Sequence, residues 1–522
     1  MKRLTKKLTI IFSALIVFVF TLSAAGCGVP QVADTETNII IEYFESAYGR
    51  KVFEELKDAF EEEYKEYTVT LIPNPQLLAQ QTESKLKSGP NINSVDMFFA
   101  ADLNLRGIVD KGSTYINGYS VAVEDLSGLY EEEIDGIPLN EKLLPEYVEH
   151  FEIGGEYYSL PVMSGPNGIA YRADYFEKEG WEVPRTTEDL RVLIEKIRDT
   201  EEYVPFIWPG TIGYWQYCLL PWWAQYVGEE GMEQFLNCED ENGELSPEAF
   251  LQYGRYEMLY ALEMCIYDPE NSYYDSITYN AQNAAQMEFY NDARKICMMP
   301  NGEWLEIEMK KSGYEPGSVD VGLMKPPVLT SVLKIPQGNQ LVDRFEKVKT
   351  NEQLSAVIAA IDAGEQSHPY ASESDFKELK RIRSYTFTTG FQQQAIIPIY
   401  ANAKEGAKKF LTFMYSDRGH QIYYDNTGSM LPVHLDNLVR KENETRYQKD
   451  RYEISQTARY LSLSDSKHPI FYKGGLGFFL DIPEIYIGST SSTDKMTAEE
   501  YFRYEYELVD SRFDTYKALA GL

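Results

Sequence analysis

The chain has 522 residues, of which 43% are hydrophobic and 14% aromatic, so it is long enough for two or three domains with sizeable cores. Acidic residues outnumber lysine and arginine by 82 to 49, and the formal net charge is −33. A field of this sign repels nucleic acid and anionic lipid, which argues against both as the binding partner. The same charge suits the solvated surface of an exported protein.

The N-terminus has the pattern of a secretory signal. Four lysine and arginine residues precede an apolar run of about fifteen residues, which is short for a membrane span. Ala24, Ala25 and Gly26 before Cys27 resemble a bacterial lipobox, where the thiol receives a diacylglycerol and the peptide is cut. We therefore predict a lipoprotein signal peptide over 1–26 and a lipid anchor on Cys27. Ordinary cleavage and an uncleaved membrane anchor are the alternatives.

Residues 27–38 are predicted to be a flexible tether, because this stretch is polar and lacks aromatic side chains. Loss of the signal removes four positive charges and no acid, which leaves a net charge of −37. The cysteines after Cys27 form no CxxC pair and have no histidine at ligand spacing, which argues against a zinc site. Disulfides and small buried side chains are both open interpretations for them. These cysteines are Cys218, Cys238, Cys265 and Cys297.

The folded body begins at Ile39 with the order strand, helix, strand. IIIEYFE predicts a strand, KVFEELKDAFEEEYKE places its apolar residues on one helical face, and YTVTLIP returns to strand. VDMFFA predicts a further strand. This order predicts a parallel sheet covered by helices, with ligands beyond the carboxyl ends of the strands.

The middle of the chain has the pattern of a crossing between lobes. In GGEYYSLPVMSGPNGIAYRADYFEKEG two prolines interrupt a strand, after which a second strand runs into a helix. Thr186 or Thr187 is expected to cap the next helix, whose apolar face includes Leu190 and Ile194. Residues 334–385 are predicted to be a helical insertion.

No catalytic or metal-binding motif stands out. CEDENGELSPEAF resembles a calcium loop, but counting back from Gly243 puts Cys238 at the first ligand position, so an acidic turn with Ser246 as a helix cap accounts for it better. No P-loop, nucleophile elbow, HExxH or dinucleotide fingerprint occurs, and the five histidines are scattered. A glycosidase needs only two carboxylates at the correct separation, so motifs do not exclude one.

Several local patterns follow one another in a familiar order along almost the whole mature chain. They are YFESAYGRKVFEELKDAFEEEY, VDMFFAADLNLRGIVDKG, GIAYRADYFEKEGWEVPRTTEDL, PNGEWL and KKFLTFMYSDRGHQIYYDNTGSMLPV. Together they resemble the extracellular solute-binding proteins, family 1, which serve ABC importers for carbohydrates. The third block is the most specific, with Arg172 in place of the family's usual Asn and Thr187 in place of its Trp.

The resemblance implies an α/β protein with the two-lobed fold of periplasmic binding proteins. Each lobe would be a mainly parallel sheet flanked by helices, and hinge strands would join the lobes. The first lobe is expected to comprise 39–163 and 326–415, with the insertion at 334–385, and the second lobe 164–325 and 416–522. Sugar would be held in the cleft between them.

The resemblance also implies a function. We expect a monomeric binding protein, without enzymatic activity, cofactor or metal, that captures a carbohydrate, expected to be an oligosaccharide, and delivers it to the permease subunits of an ABC transporter. It would be lipid-anchored at the extracellular face of the bacterial membrane, with the anchor as its one membrane contact. The alternatives are a secreted carbohydrate-active hydrolase and a binding protein that feeds a sensor kinase.

A pyranose has one apolar face, which suits aromatic rings, and a rim of hydroxyls, which suits carboxylates, amides and guanidinium groups. Trp304 is the strongest candidate, because the family's G-x-W turn commonly presents this ring to the ligand and Gly302 lets the backbone come close. A core role for Trp304 is the structural alternative. By position in the family pattern, the predicted ligand-binding residues are Glu45, Tyr48, Asp102, Asn104, Tyr214, Trp215, Gly302, Trp304 and Phe391.

Some candidates have further interpretations. For Glu45 and Asp102 the structural alternative is an N-cap or a solvated loop acid. Three arginines, Arg50, Arg106 and Arg172, lie near cleft segments and are candidates to receive the carboxylate of a uronic acid.

Overall fold

The structure is a computed structural model, and it leaves the predicted N-terminal signal undescribed. The predicted signal peptide over 1–26, the lipid-anchor residue Cys27 and most of the tether lie outside the described residues. Within the described ranges, no helix is both long enough and apolar enough to cross a bilayer. The described residues are 34–75, 79–90, 94–111, 122–210, 212–274, 276–279, 282–338, 340–434, 437–463 and 467–522.

The strands are short and form two principal sheets and several two-stranded ones. They are β1 (Asn38–Phe44), β2 (Thr68–Asn74), β3 (Met97–Ala101), β4 (Glu133–Ile134), β5 (Ile137–Pro138), β6 (Glu152–Ile153), β7 (Glu156–Tyr157), β8 (Leu160–Pro161), β9 (Gly168–Arg172), β10 (Val204–Phe206), β11 (Ile296–Asn301), β12 (Val321–Met324), β13 (Lys334–Gln337), β14 (Gln340–Asp343), β15 (Tyr385–Phe387), β16 (Gln393–Ile396) and β17 (Arg459–Leu461).

The helices cover both principal sheets. They are α1 (Glu45–Tyr48), α2 (Lys51–Glu63), α3 (Ala79–Ser88), α4 (Leu105–Lys111), α5 (Ser127–Tyr130), α6 (Leu139–Lys142), α7 (Pro145–Phe151), α8 (Ala173–Glu179), α9 (Thr187–Asp199), α10 (Gln216–Leu236), α11 (Tyr253–Ile266), α12 (Gln282–Tyr290), α13 (Leu305–Lys311), α14 (Asn351–Asp362), α15 (Glu373–Ser384), α16 (Lys404–Met414), α17 (Asp417–Thr427), α18 (Arg446–Ser455), α19 (Pro469–Tyr472), α20 (Pro483–Ile487) and α21 (Ala498–Ala520).

The first principal sheet, in the order β2-β1-β3-β16-β8, separates two hydrophobic clusters. Ile39 and Ile41 of β1 enter one cluster, whereas Ile40 enters the other. The buried face of α2, which includes Phe53 and Leu56, packs in the first of these clusters. Successive side chains of a strand point to opposite faces, so a strand buried on both sides needs a continuous apolar run. This explains the sequence IIIEYF, and it confirms the predicted strand and helix.

The two principal sheets are mixed rather than mainly parallel. β1 is parallel to β2 and β3, as predicted, but β16 is antiparallel to β3 and β8. The second sheet has the order β10-β11-β9-β12, in which β9 is antiparallel to both neighbours. β9 and β16 each enter their sheet from a segment that crosses between the lobes, so the crossing sets their direction. The α/β class of the prediction is confirmed.

Three crossing segments lie side by side between the lobes. They are 162–167, 388–392 and 428–433, and we call them the junction. Ser164 N donates to Met430 O at 2.8 Å, and Asn167 N donates to Phe387 O at 2.8 Å. Because these hydrogen bonds hold the segments together, the two sheets are connected by three adjacent segments and not by a single flexible linker.

Packing places two segments in a different lobe from the one predicted. The insertion at 334–385 begins with the hairpin β13-β14. Its helix α15 packs against α10. Leu354 and Phe376 of the insertion are therefore buried in the hydrophobic cluster around the second principal sheet, which we call the second-lobe cluster. Conversely, α17 was predicted to belong to the second lobe but packs on α2 of the first. Tyr423 and Leu431 lie in the same hydrophobic cluster as Ile39 and Ile41. Apolar contact across these helix pairs, which sequence position does not reveal, decides both placements.

Two predicted helix caps are confirmed. Thr186 accepts a hydrogen bond from Asp189 N while the Asp189 side chain accepts one from Thr186 N, which makes a capping box at the start of α9. Ser246 caps the short 3₁₀ helix at Pro247–Leu251 by accepting from Glu248 N. Both caps satisfy amide groups that have no partner within the helix.

The four cysteines of the body are buried free thiols. They pack as small apolar side chains in the second-lobe cluster, which decides between the two interpretations left open by the sequence. They are Cys218, Cys238, Cys265 and Cys297.

A buried ion pair fastens the last helix to the second lobe. Arg255 Nη2 of α11 lies 2.6 Å from Glu505 Oε2 of α21, and the two side chains are 0% and 2% exposed. The Arg255 guanidinium also donates to Phe478 O at 2.8 Å and lies 4.6 Å from the centre of the Trp223 ring. A buried pair of this kind is costly to break on one side, because the remaining charge stays desolvated.

We expect Glu505→Ala to lower the free energy of unfolding by about 3–5 kcal/mol, since it leaves Arg255 buried without its counter-ion. Urea denaturation measures this change. Glu499→Ala on the same helix is the matched control, because it breaks an exposed pair with Arg503 and should leave the midpoint near that of the wild type. Equal effects of the two substitutions would contradict the role assigned to the buried pair.

Candidate functional site

A cavity of about 280 Å³ lies between the two lobes. Its first-lobe wall is built from the ends of β3 and β16 and the start of α4, and its second-lobe wall from the segment around α19. Three predicted ligand residues line it, namely Asp102, Asn104 and Phe391. Other lining residues include Arg106, His150, Gln394, Phe471, Tyr472 and Phe478.

Asp102 occupies the carboxyl end of β3, where its backbone is held in an unusual conformation. Its φ is +58°, in the left-handed region that residues with a side chain rarely adopt. Asp102 N donates to Gln392 O at 2.9 Å, which holds the turn against the next strand. Its side chain is exposed to the cleft, while burial by the surrounding protein raises the pKa of its carboxyl. Such strain is typical of functional positions.

Asn104 links the two walls of the cavity. Its Oδ1 accepts from Gly107 N at 2.9 Å within α4, and its Nδ2 donates to Tyr472 O at 2.9 Å on the opposite lobe. Beside this bond, Asp110 Oδ2 lies 3.0 Å from Lys473 Nζ. The lobes are therefore in direct polar contact at this side of the cleft.

Phe391 forms an apolar wall of the cavity. Its ring is buried and stacks on His150 at a centroid distance of 4.4 Å, with Tyr147 meeting it edge-on at 4.5 Å. The predicted residue therefore lies in the cleft, as part of a group of packed rings.

A second group of rings, the aromatic wall, belongs to the second lobe and consists of Tyr214, Tyr217 and Trp304. The centroid of the partly exposed Trp304 ring lies 6.2 Å from that of Tyr214 and 5.8 Å from that of Tyr217. A Cβ atom on Gly302 would lie 2.4 Å from Trp304 Cη2, so only glycine lets the ring fold back over this turn. Burial raises the pKa of Tyr217, and the charges of Glu308 and Asp102 raise it further.

Trp215 does not reach the cleft. Its side chain is fully buried, and its ring meets Phe206 and Trp208 edge-on at 5.2 and 6.2 Å, so it is a core residue. Tyr217, which the sequence reasoning missed, belongs to the wall instead. Its spacing of three residues from Tyr214 at the start of a helix is the signal that could have identified it.

Glu45 and Tyr48 are the two ends of α1, and neither belongs to the lining of the cavity. Glu45 Oε1 lies 3.0 Å from Arg50 Nη2, and Glu45 O accepts from Lys311 Nζ of the second lobe at 3.0 Å. Tyr48 is buried and donates from its hydroxyl to Gln393 Oε1 at 2.9 Å. Tyr48 therefore supports the strand that carries the cavity wall.

Glu303 is a buried carboxylate between Gly302 and Trp304, and nothing in the sequence signals its burial. It is 0% exposed, and neither carboxylate oxygen has a hydrogen-bond partner among the described residues. A Cβ atom on Gly165 would lie 2.0 Å from Glu303 Oε2, so a side chain at residue 165 would force the Glu303 carboxylate to move. Burial raises the pKa of Glu303 to about 7, against the opposing effects of Arg451 and the nearby Ser429 hydroxyl.

Tyrosines from both sides of the junction surround this carboxylate. Burial, with a further contribution from the charge of Glu303, raises the pKa of each. Two of them have hydrogen bonds, Tyr48 to Gln393 and Tyr447 to Gly302 O at 2.7 Å. The hydroxyls of the other three, Tyr147, Tyr423 and Tyr460, have no partner among the described residues. Buried polar atoms of this kind are usually satisfied by ordered water or a ligand.

The lining of the cavity suits hydroxyl-rich molecules. In the described part of the chain, no group of three or more His, Cys, Asp or Glu side chains is placed to hold a metal ion. Rings, amides, a carboxylate and a guanidinium group instead meet in one cleft. This combination matches the apolar face and hydroxyl rim of a sugar.

Comparison with known families decides the identity of the fold. The model of the bacterial extracellular solute-binding protein family matches residues 46–322, more than half of the chain. The chain belongs to this family. Its members are binding proteins of the extracellular space, and the match includes Asp102, Asn104 and the aromatic wall. No match was found among curated protein sequences.

Solved structures confirm the two-lobed α/β fold of periplasmic sugar-binding proteins. Apo RafE from Streptococcus pneumoniae has a TM-score of 0.57 and 16% identity, over 91% of this chain and 99% of that one. RafE in complex with raffinose has a TM-score of 0.55 and 16% identity, over 90% and 100%. Maltose-bound MalE3 from T. maritima has a TM-score of 0.56 and 15% identity, over 91% and 99%.

The buried carboxyl of this solute-binding protein predicts a pH-dependent stability. The pKa of Glu303 rises from an ordinary 4.5 to about 7 on folding, so the folded state holds the proton more tightly. The contribution of protonated Glu303 to the free energy of unfolding is therefore full below pH 4.5 and is lost as the pH rises through about 7. Glu303→Gln should therefore stabilise the protein above pH 7, by on the order of 3 kcal/mol, and have little effect near pH 4.5.

Denaturant unfolding from pH 4.5 to about pH 8.5 measures this difference. Glu315→Gln is the matched control, because Glu315 is 78% exposed and its substitution should give a profile parallel to that of the wild type. A Glu303→Gln profile that is also parallel would show that Glu303 is not protonated on folding.

Proposed function

We propose that this protein is the substrate-binding lipoprotein of a carbohydrate ABC importer. It captures an oligosaccharide in the cleft between its lobes and delivers it to the permease, without chemical change. Cys27, as the lipid-modified first residue of the mature chain, anchors it at the extracellular face of the cell membrane. The polar residues up to Asn38 act as the tether.

The observation that carries this proposal is a cavity between the lobes in which aromatic rings and polar side chains meet. Asp102 and Asn104 line its first-lobe side together with the ring of Phe391, and the rings of Phe471 and Tyr472 line its second-lobe side. Trp304 is a partly exposed ring of the second lobe. A ring that covers roughly 100 Å² of a sugar face at about 25 cal/mol per Å² contributes about 2.5 kcal/mol, or nearly a hundredfold in affinity. The polar groups would then select the hydroxyl pattern.

Contacts between the lobes support a closed state that a permease can recognise. Asn104 bonds to Tyr472 O, Asp110 pairs with Lys473, and Lys311 bonds to Glu45 O, all across the cleft. A ligand that touches both lobes adds to these contacts, so it favours closure over the open form. The resemblance to structures that bind raffinose and maltose supports an oligosaccharide as that ligand.

Thermal unfolding with a ligand panel tests the function. The protein without residues 1–27 is heated with neutral oligosaccharides, uronic oligosaccharides, amino acids and peptides, and each ligand is recovered and analysed. A ligand at a hundred times its dissociation constant should stabilise the folded state by about 2.7 kcal/mol. We expect a sugar to raise the midpoint and to be recovered intact. Recovery of a cleaved sugar would instead identify a hydrolase, and a shift with peptides alone would remove the carbohydrate assignment.

Replacement of the partly exposed ring tests the site. We expect Trp304→Ala to weaken sugar binding by up to about a hundredfold, because it removes the platform for the sugar face. Titration calorimetry measures the dissociation constant. Trp181→Ala is the matched control, since Trp181 is also a partly buried second-lobe ring but packs edge-on against Phe176 and Tyr203. Equal loss in both variants would place the sugar elsewhere.

A further inference from the structure

The three arginines near the cleft differ in the side chains that they pair with. Arg172 is 1% exposed and has both Asp174 and Asp292 at 2.6 Å, and Arg50 has Glu45 at 3.0 Å. The charges of these two arginines are therefore already balanced by carboxylates of the protein itself. They are not available to a ligand anion without loss of those pairs.

Arg106 differs, because no carboxylate of the described residues lies within ion-pair distance of it. It stands in the first turn of α4, is partly buried, and lines the interlobe cavity. Its Nη2 donates to the backbone oxygen of Glu152 at 3.1 Å. Burial lowers the pKa of Arg106, and electrostatic interactions with Tyr472, Asp110 and Glu152 partly oppose this shift. Asp110 itself is engaged by Lys473.

Most arginines of the described residues pair with a carboxylate, as Arg50, Arg172 and Arg418 do, whereas Arg106 does not. Acids outnumber lysine and arginine by 82 to 49, so carboxylates are abundant. A guanidinium group that is partly removed from water loses hydration, and this loss is offset when an anion takes the place of the water. A planar fork of N–H donors fits the two oxygens of a carboxylate particularly well.

Asp102 does not supply that anion. It lines the same cavity, yet burial alone accounts for the raised pKa of its carboxyl, with no contribution from Arg106. The two groups therefore act separately. A ligand with hydroxyls at Asp102 and an anionic group at Arg106 would satisfy both, and this arrangement would also fix its direction in the cleft.

We infer that the ligand is an acidic oligosaccharide and that Arg106, facing the interlobe cavity without a carboxylate partner among the described residues, binds the carboxylate of a uronic acid unit. This inference rests on the proposed function and adds the class of sugar to it. The side-chain amides of Asn104 and Gln394 lie in the same cavity, where they can hydrogen-bond the hydroxyls of that unit.

Titration calorimetry with matched sugars tests the inference. The ligands are a uronic oligosaccharide, the same oligosaccharide with its carboxyl groups reduced to alcohols, and a sulfated oligosaccharide. We expect the wild type to prefer the uronic form by at least about tenfold over the reduced form, and Arg106→Gln to abolish this preference. Arg106→Lys should keep part of it, because it retains the charge without the fork.

Arg418→Gln is the control, since Arg418 belongs to the first lobe but pairs with Glu62 at 2.6 Å on the surface. It should preserve the preference. Equal affinity of the wild type for the uronic and reduced sugars would overturn the inference while leaving the sugar-binding function standing. Preference for the sulfated sugar would overturn the assignment to a carboxylate. Binding of none of the sugars would overturn the proposed function itself.

Discussion

The close approach of Gly165 to Glu303 is the contact on which the architecture of the cleft depends. The crossing segment passes so near the carboxylate that a side chain at residue 165 would displace it, and the charge of this carboxylate acts on tyrosines of both lobes. A buried carboxyl resists ionisation, because water is excluded from it. Glu303 is followed directly by Trp304, so the junction also sets where the partly exposed ring stands.

Charge is distributed unevenly between the surface and the cleft. On the acidic surface, arginine and lysine side chains pair with nearby carboxylates, as Arg50 does with Glu45 and Arg418 with Glu62. Within the cleft, Asp102 and Arg106 have no such partner in the described part of the chain. Groups of opposite sign on one wall of the cavity would give a bound ligand a direction, whereas aromatic rings supply contact area with little preference for orientation.

Much of the first lobe was predictable, because its signals are local. The apolar run of β1 and the helical face of α2 follow from residues close together in the chain, as does the capping box of α9 in the second lobe. The family pattern also predicted Asp102 and Asn104, which line the interlobe cavity. The wrong placements came from long-range packing, as for Trp215 in the core and the insertion in the second lobe.

The sequence by itself determined the α/β class and the family, because periodicity and turn motifs depend on neighbouring residues. Only the tertiary structure decided which lobe holds the insertion, that Glu303 is buried, and that Arg106, unlike Arg50 and Arg172, has no carboxylate partner among the described residues. Burial and pairing depend on residues far apart in the chain. Arg50, Arg106 and Arg172 look alike in sequence, and only their neighbours in space distinguish them.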